Sequence, residues 1–242
     1  LLLTGYHCLG DTGYSYSYDS PVLDNIYFYW NYELIDCNDT TEPPHYYTTG
    51  ATVLAYYNIS DFALFLLDDN PRDTLGLTPC YLGWDRSGQA GGSGVCIHHP
   101  QGDVKKISTV GNTPPSSVYF WGSGEGHWEV TWGDGVTEVG SSGSPLLNSN
   151  HKVIGQLHRG DSECDNTSGH DLFGKISRSW VGDNLDNYKG RLDYWLDTMF
   201  VSTIDTLESL LVIPTTKIME EKGQLWGIIR VKNSGQLTIQ GN

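Results

Sequence analysis

Short apolar runs, each closed off by glycine, proline or a polar cluster, recur along the chain and restrict its fold more than any other feature. They fall at 1–8, 26–32, 51–57, 61–67, 81–85, 94–100, 104–110, 117–121, 127–132, 153–157 and 172–177. Runs of this length, rich in Tyr, Trp, Val and Thr, read as strands. No helical pattern alternates with them, which argues against a parallel α/β sheet and predicts a β-barrel or β-sandwich. Helical character occurs late, over 192–210, where Leu192, Trp195, Leu196 and Met199 recur at helical spacing. With 242 residues the chain is long enough for one large or two small domains. Its texture changes near residue 212. The stretch 228–239 reads as strand, turn and strand, so 1–211 is taken as the main domain and 212–242 as a linker and the start of a β-rich module. A terminal strand pair docked on the main domain fits the same residues.

The formal net charge is −15, so phosphates would be repelled, and neither nucleic acid nor an anionic membrane is an expected partner. An acidic chain suits an extracellular protein and steers cationic substrates. No run of about 18 apolar residues is present to span a membrane. The chain opens on Leu1-Leu2-Leu3-Thr4, without methionine or leader, and reads as a strand already under way, hence as cut at its N-terminus. Five cysteines, at 8, 37, 80, 96 and 164, include no CxxC pair, which disfavours zinc and favours disulfides. Cys80 and Cys96 bracket a glycine-rich loop and suit a bridge across it. His98 and His99 point to opposite faces of a strand and suit structural roles better than a shared metal. No metal or cofactor is expected.

One loop carries chemistry. In Gly140-Ser141-Ser142-Gly143-Ser144-Pro145 a serine lies among small residues that let backbone N–H groups approach a carbonyl oxygen, as an oxyanion hole requires. A surface turn would look the same. A serine hydrolase also needs a base for the serine proton and a carboxylate that holds the base in the right tautomer. His7, beside Cys8 at a strand end, and Asp61, at the head of an apolar run, supply both. They precede Ser142 in the order His, Asp, Ser, with spacings of 54 and 81 residues. That is the order of the chymotrypsin-like double β-barrel rather than of α/β-hydrolases or subtilisins.

Thr4-Gly5-Tyr6-His7-Cys8, Asp61-Phe62-Ala63-Leu64 and the serine hexamer resemble the three motifs of trypsin-like peptidases. Tyr29-Trp30-Asn31-Tyr32, Gly83-Trp84-Asp85-Arg86, Ile97-His98-His99-Pro100, Gly135-Val136-Thr137-Glu138 and Val153-Ile154-Gly155-Gln156-Leu157-His158 narrow the resemblance to bacterial lysyl endopeptidases, over residues 1 to about 210. The resemblance implies a double six-stranded β-barrel, its N-terminal barrel incomplete here, with a short C-terminal helix. It implies catalysis by His7, Asp61 and Ser142, and an oxyanion hole from the N–H groups of Gly140 and Ser142. Val136 stands where trypsin has its pocket acid, and the resemblance moves that acid to Asp171, whose carboxylate would favour a lysine ammonium. A turn-forming role for Asp171 is the alternative. The resemblance also sets His158 and Trp121 beside the catalytic histidine and Gly160 at the pocket, although Trp121 also suits core packing. Arg159 departs from the small residue expected there, and Ser141 from trypsin's aspartate.

The resemblance further implies that Cys8, Cys37 and Cys164 pair with an N-terminal segment absent from this chain, which leaves them unpaired and Cys80–Cys96 as the one bridge. The expected function is a secreted, monomeric serine endopeptidase acting on proteins or peptides after lysine. A glutamyl-type endopeptidase shares the serine loop, but Asp171 would repel its substrate. A non-catalytic protease-like binding domain is the remaining alternative.

Overall fold

The computed structural model describes residues 1–9, 23, 25–36, 38–120, 122, 124–183 and 187–197, and the backbone of strands at 210–211, 228–231 and 237–240. In chain order the strands are β1 (Leu2–Gly5), β2 (Tyr27–Trp30), β3 (Tyr46–Thr49), β4 (Ala51–Tyr57), β5 (Phe62–Leu67) and β6 (Cys80–Tyr81). They continue with β7 (Gly94–His98), β8 (Lys106–Val110), β9 (Ser116–Val118), β10 (His127–Val130), β11 (Trp132–Asp134), β12 (Pro145–Asn148), β13 (Val153–Gly160) and β14 (Asp171–Lys175). The chain ends with β15 (Leu210–Leu211), β16 (Ile228–Val231) and β17 (Leu237–Gln240). The helices α1 (Pro71–Leu75), α2 (Ile176–Val181) and α3 (Asp193–Leu196) are short, and the fold is mostly β as the sequence predicts.

β1, β5 and β4 form a three-stranded sheet, and β2 and β3 form a ribbon. The large sheet has the order β11-β8-β7-β12-β13-β14-β10-β9. β10 is next to one edge and β11 forms the other, yet only Thr131 separates them in sequence. Two Cα steps of about 3.8 Å cannot cross a flat sheet of that width, so the sheet curls until its edges nearly meet. The described residues contain no ladder that shuts the seam, and neither sheet is a closed six-stranded barrel.

Alternation decides the packing. β4 buries Ala51, Val53 and Ala55, and β7 buries Gly94, Cys96 and His98. Phe62, Leu64 and Ala55 of the small sheet pack with Leu147, Val153, Ile176 and Trp180 of the other half, so one core joins the two. Trp84 and Trp180 meet there with ring centroids 4.3 Å apart. A buried bond from Gln156 Nε2 to the Ser60 carbonyl, 2.7 Å long, crosses the same junction.

Several expectations change. The first strand stops at Gly5, and His7 lies in a 3₁₀ turn over Tyr6–Leu9 instead of at a strand end. Trp84 makes only an isolated bridge to Val153. The run at 127–132 divides into two strands because its halves pair with opposite ends of the sheet. Beyond Lys175 the backbone turns into α2, and only Asp193–Leu196 of the expected late helix is helical among the described residues. The two strands expected over 228–239 are β16 and β17, which pair antiparallel.

The Cys80–Cys96 bridge is not formed. Cys96 faces the core of the curled sheet and is fully buried, whereas Cys80 is exposed on β6; both thiols are free. Cys8 and Cys164 are free and exposed, and Cys37 lies outside the described residues. No helix among the described residues is long and apolar enough to cross a membrane.

Gly174 lets the halves close: a Cβ there would lie 1.8 Å from the Ser60 carbonyl oxygen and 2.4 Å from Gln156 Nε2. Gly174→Ala is expected to destabilise the protein by about 1–3 kcal/mol through overpacking, measured by thermal or denaturant unfolding.

Candidate active site

The site forms where the small sheet meets the large one. Asp61 is fully buried between β4 and β5 and adopts φ +57, a left-handed conformation that aspartate tolerates better than most residues. In that conformation its carbonyl accepts the Tyr6 N–H at 2.8 Å, while Oδ1 accepts the His7 N–H at 2.9 Å. Its other oxygen, Oδ2, lies 2.7 Å from His7 Nδ1. One carboxylate thus grips both the backbone and the ring of a residue 54 positions away. Nδ1–H donates to Asp61, which leaves Nε2 as the proton acceptor of the neutral ring.

The hydrogen bond that His7 donates to Asp61 raises the pKa of His7 to about 10. His158 comes within 4.0 Å of Asp61 through Nε2, and its ring lies 5.7 Å from that of His7. His7, Asp61 and His158 are close enough to resemble a metal-ligand set. The 2.7 Å between His7 Nδ1 and Asp61 Oδ2 is, however, a hydrogen-bond length. Two tetrahedral zinc ligands at about 2.0–2.1 Å from the ion stand about 3.3 Å apart.

Behind His158 lies His127, whose Nε2 is 3.0 Å from His158 Nδ1. Burial pushes His127 down to about 3 and also lowers His158, so this pair is neutral at ordinary pH. Phe120 packs edge-on to both imidazoles. Trp121, the expected wall residue, lies outside the described residues. Phe120 and His127 went unrecognised in the sequence because neither belongs to a motif; only the fold brings them behind His158.

Ser142 reaches the site through a close approach of backbones. A Cβ on Gly143 would lie 2.1 Å from Thr4 Oγ1 and 2.7 Å from the Gly5 nitrogen, so only glycine permits this contact with the end of β1. The serine hydroxyl makes no hydrogen bond among the described residues, and His7 Nε2 has the Cys8 thiol 3.9 Å away. The structure therefore pairs His7 with Asp61 and brings the serine loop against the segment that carries His7, without a formed Ser142–His7 bond. Ser142 opens onto a cleft of about 590 Å³ walled by the aromatic β2 and by His99.

Around Ser142, the N–H groups of Glu138, Ser141, Gly143 and Ser144 are all taken by acceptors. Those of Gly140 and Ser142 have none among the described residues, and Gly140 is exposed at φ +92. Two free donors flank a serine hydroxyl.

Asp171 is fully buried at the start of β14. Its Oδ2 accepts from Trp132 Nε1 at 2.5 Å, Thr137 Oγ1 at 2.6 Å and Ser162 Oγ at 2.5 Å, and Oδ1 accepts the Ser162 N–H at 3.3 Å. Every one of these partners donates. Gly160 faces it, and a Cβ there would lie 1.7 Å from Oδ1. Val136 packs against the core of the large sheet. Arg159 is turned over Phe120, with its guanidinium carbon 5.7 Å from the ring centre.

A family model described as the C-terminal domain of lysyl endopeptidase matches residues 1–174. A lysyl endopeptidase of Pseudomonas aeruginosa is 31% identical over 173 residues, which make up 68% of this chain and 34% of that protein. The chain spans about a third of that relative's length. Among solved structures, the HtrA-type protease AlgW with a decapeptide aligns at a TM-score of 0.44 and 16% identity, over 72% of this chain and 44% of the other. A Glu endopeptidase in complex with MPD aligns at 0.42 and 17% identity, over 72% and 74%.

NMR titration of His7 is expected to find a midpoint well above the ordinary 6.5, and Asp61→Asn to bring it down. Because the folded pKa is raised, this pair contributes stability that is full below pH 6.5 and lost as pH rises toward about 10. Unfolding measurements across that window should show the loss in the wild type and a flatter profile in Asp61→Asn.

Proposed function

The chain belongs to the lysyl endopeptidase C-terminal domain family, and from that premise we propose that it is the catalytic part of a serine endopeptidase that cleaves on the carboxyl side of lysine. The observation that carries this reading is the double hydrogen bond from His7 to the buried Asp61. In this mechanism His7 Nε2 takes the Ser142 proton as Oγ attacks the substrate carbonyl, then gives it to the departing amine. Asp61 holds the ring in the Nδ1–H tautomer and balances the imidazolium. The free N–H groups of Gly140 and Ser142 receive the oxyanion, and water then releases the acyl-enzyme.

Asp171 is assigned to the lysine ammonium. Its Oδ2 is occupied by three donors, while Oδ1 has the single 3.3 Å bond and lies beneath a residue without a Cβ. Gly160 lies directly against that oxygen and can do so only because it has no Cβ, His158 walls the site, and Arg159 is held aside on Phe120. In the same reading the small sheet with its aromatic ribbon and the curled large sheet are the two barrels of a chymotrypsin-like fold. Residues 1–211 are then the peptidase unit and 212–242 the start of a further β-rich module. The enzyme would act outside the cell, as a monomer, on proteins or peptides.

The test uses the full-length protein and fluorogenic peptides ending in Lys, Arg or Glu. Cleavage after Lys is expected, falling about 10⁵–10⁶-fold in Ser142→Ala. Asp171→Asn should cost about 10- to 100-fold on Lys peptides, the worth of a charged hydrogen bond. Because only neutral His7 can accept the proton, kcat/KM should climb with pH well past 6.5. A wild type that leaves Lys peptides uncut would overturn the proposal; equal cleavage after Lys and Arg would keep the peptidase and revise the pocket.

A further inference from the structure

Ser141, immediately before Ser142, is fully buried, and so is His98 at the end of β7. Four polar contacts join them to the rest of the serine loop, and donor and acceptor logic orders all four. The Val136 carbonyl can only accept, so the Ser108 hydroxyl donates to it at 2.8 Å. Ser108 Oγ then accepts a hydrogen bond from His98 Nε2–H at 3.0 Å, which places the ring hydrogen on Nε2. Burial lowers the pKa of His98 against the opposing pull of Asp171 and Glu138 and with that of His99, so the ring is neutral and Nδ1 is an acceptor. The Ser141 hydroxyl therefore donates to Nδ1 at 2.8 Å, while its oxygen accepts the Glu138 N–H at 3.2 Å.

We propose that His98 is a positioning residue for the nucleophile loop: through Ser141 and Ser108 it clamps both ends of the segment that presents the Ser142 hydroxyl and the N–H groups of Gly140 and Ser142. Loss of the ring leaves the Ser141 hydroxyl without an acceptor and Ser108 without its donor. Two further contacts show how closely the segment is held. A Cβ on Gly135, just before Val136, would lie 2.6 Å from Ser108 Oγ, and the Gln101 N–H donates to the Val139 carbonyl at 2.6 Å. In trypsin-like peptidases an aspartate occupies the place of Ser141 and pairs with a new N-terminal amine. Here a neutral imidazole does the bracing from within the large sheet, and the clamp needs no liberated amine.

The proposal rests on the serine-peptidase reading of Ser142, and its test separates the two. In the full-length protein, His98→Phe keeps the ring volume and removes both nitrogens. Ser142 labelling by a small fluorophosphonate and kcat on a Lys amide should fall about 10- to 100-fold, the scale of an ångström-sized misplacement. KM should change less than about threefold and the melting temperature by only a few degrees. His98→Gln, with one donor and one acceptor, should recover most of the loss, and His98→Phe/Ser141→Ala should be no worse than either change alone. Unchanged kcat and labelling in His98→Phe would overturn the proposal, as would a loss that tracks melting temperature and is equal in His98→Gln. Nitrogen NMR of the unmodified protein gives a readout independent of activity: the Nε2–H tautomer is expected, and Nδ1–H or a charged ring would overturn the clamp. A wild type with the Nε2–H tautomer but no Ser142 labelling would instead refute the peptidase reading.

Discussion

Asp61 is held in a backbone conformation that costs an L-residue about 1–2 kcal/mol, and much of the structure nearby follows from how it is kept there. Its carbonyl and both carboxylate oxygens bind the turn that carries His7. The residue before it, Ser60, is anchored from the other side of the molecule. Its carbonyl accepts from Gln156, and its hydroxyl donates to Ser179, which in turn donates to the Lys175 carbonyl. The left-handed turn at Asp61 is thus fixed by both sheets. The His7–Asp61 pair and the junction between the halves are one arrangement: disturbing the junction moves the carboxylate, and removing the carboxylate loosens the turn.

Close backbone approach complements this at three glycines. Gly143 brings the serine loop against Thr4 and Gly5, Gly160 lets the Asp171 carboxylate pack against its backbone, and Gly174 allows Ser60 to reach β14. In each case a methyl group would occupy the position of a neighbouring atom. The donors at Gly140 and Ser142, unpaired among the described residues, belong to the same economy of small residues, since every other N–H from Ser141 to Ser144 is committed to holding the loop.

The mostly β architecture, the strand positions in the central part of the chain, and the pairing of His7 with Asp61 were legible in the sequence, because period-two burial and motif order both survive folding. What escaped was decided by long-range placement. The 3₁₀ turn at His7 depends on bonds to Asp61, and nothing within residues 1–9 signals it. The Cys80–Cys96 bridge suited a loop-closing reading, but alternation along β7 turns Cys96 inward, away from the exposed Cys80. His98 is expected from the sequence to be structural, but its connection to Ser141 spans 43 residues and could not be seen locally. The donors around Asp171 come from Trp132, Thr137 and Ser162, on three separate stretches of chain.

The one-residue step at Thr131 has a kinetic consequence. As the chain leaves the ribosome, β10 can pair at first only with β9, because its other neighbour, β14, lies some forty residues ahead. Until Asp171–Lys175 emerges, Trp128 and Val130 have no Phe173 to pack against, and the curled sheet stays open on that side. Assembly of the large sheet is therefore governed by contacts distant in sequence, which makes it slow relative to its size and leaves one edge of β10 unpaired in the interval. A chain halted before β14 would carry the serine loop complete in sequence but without the strand that completes the sheet around it.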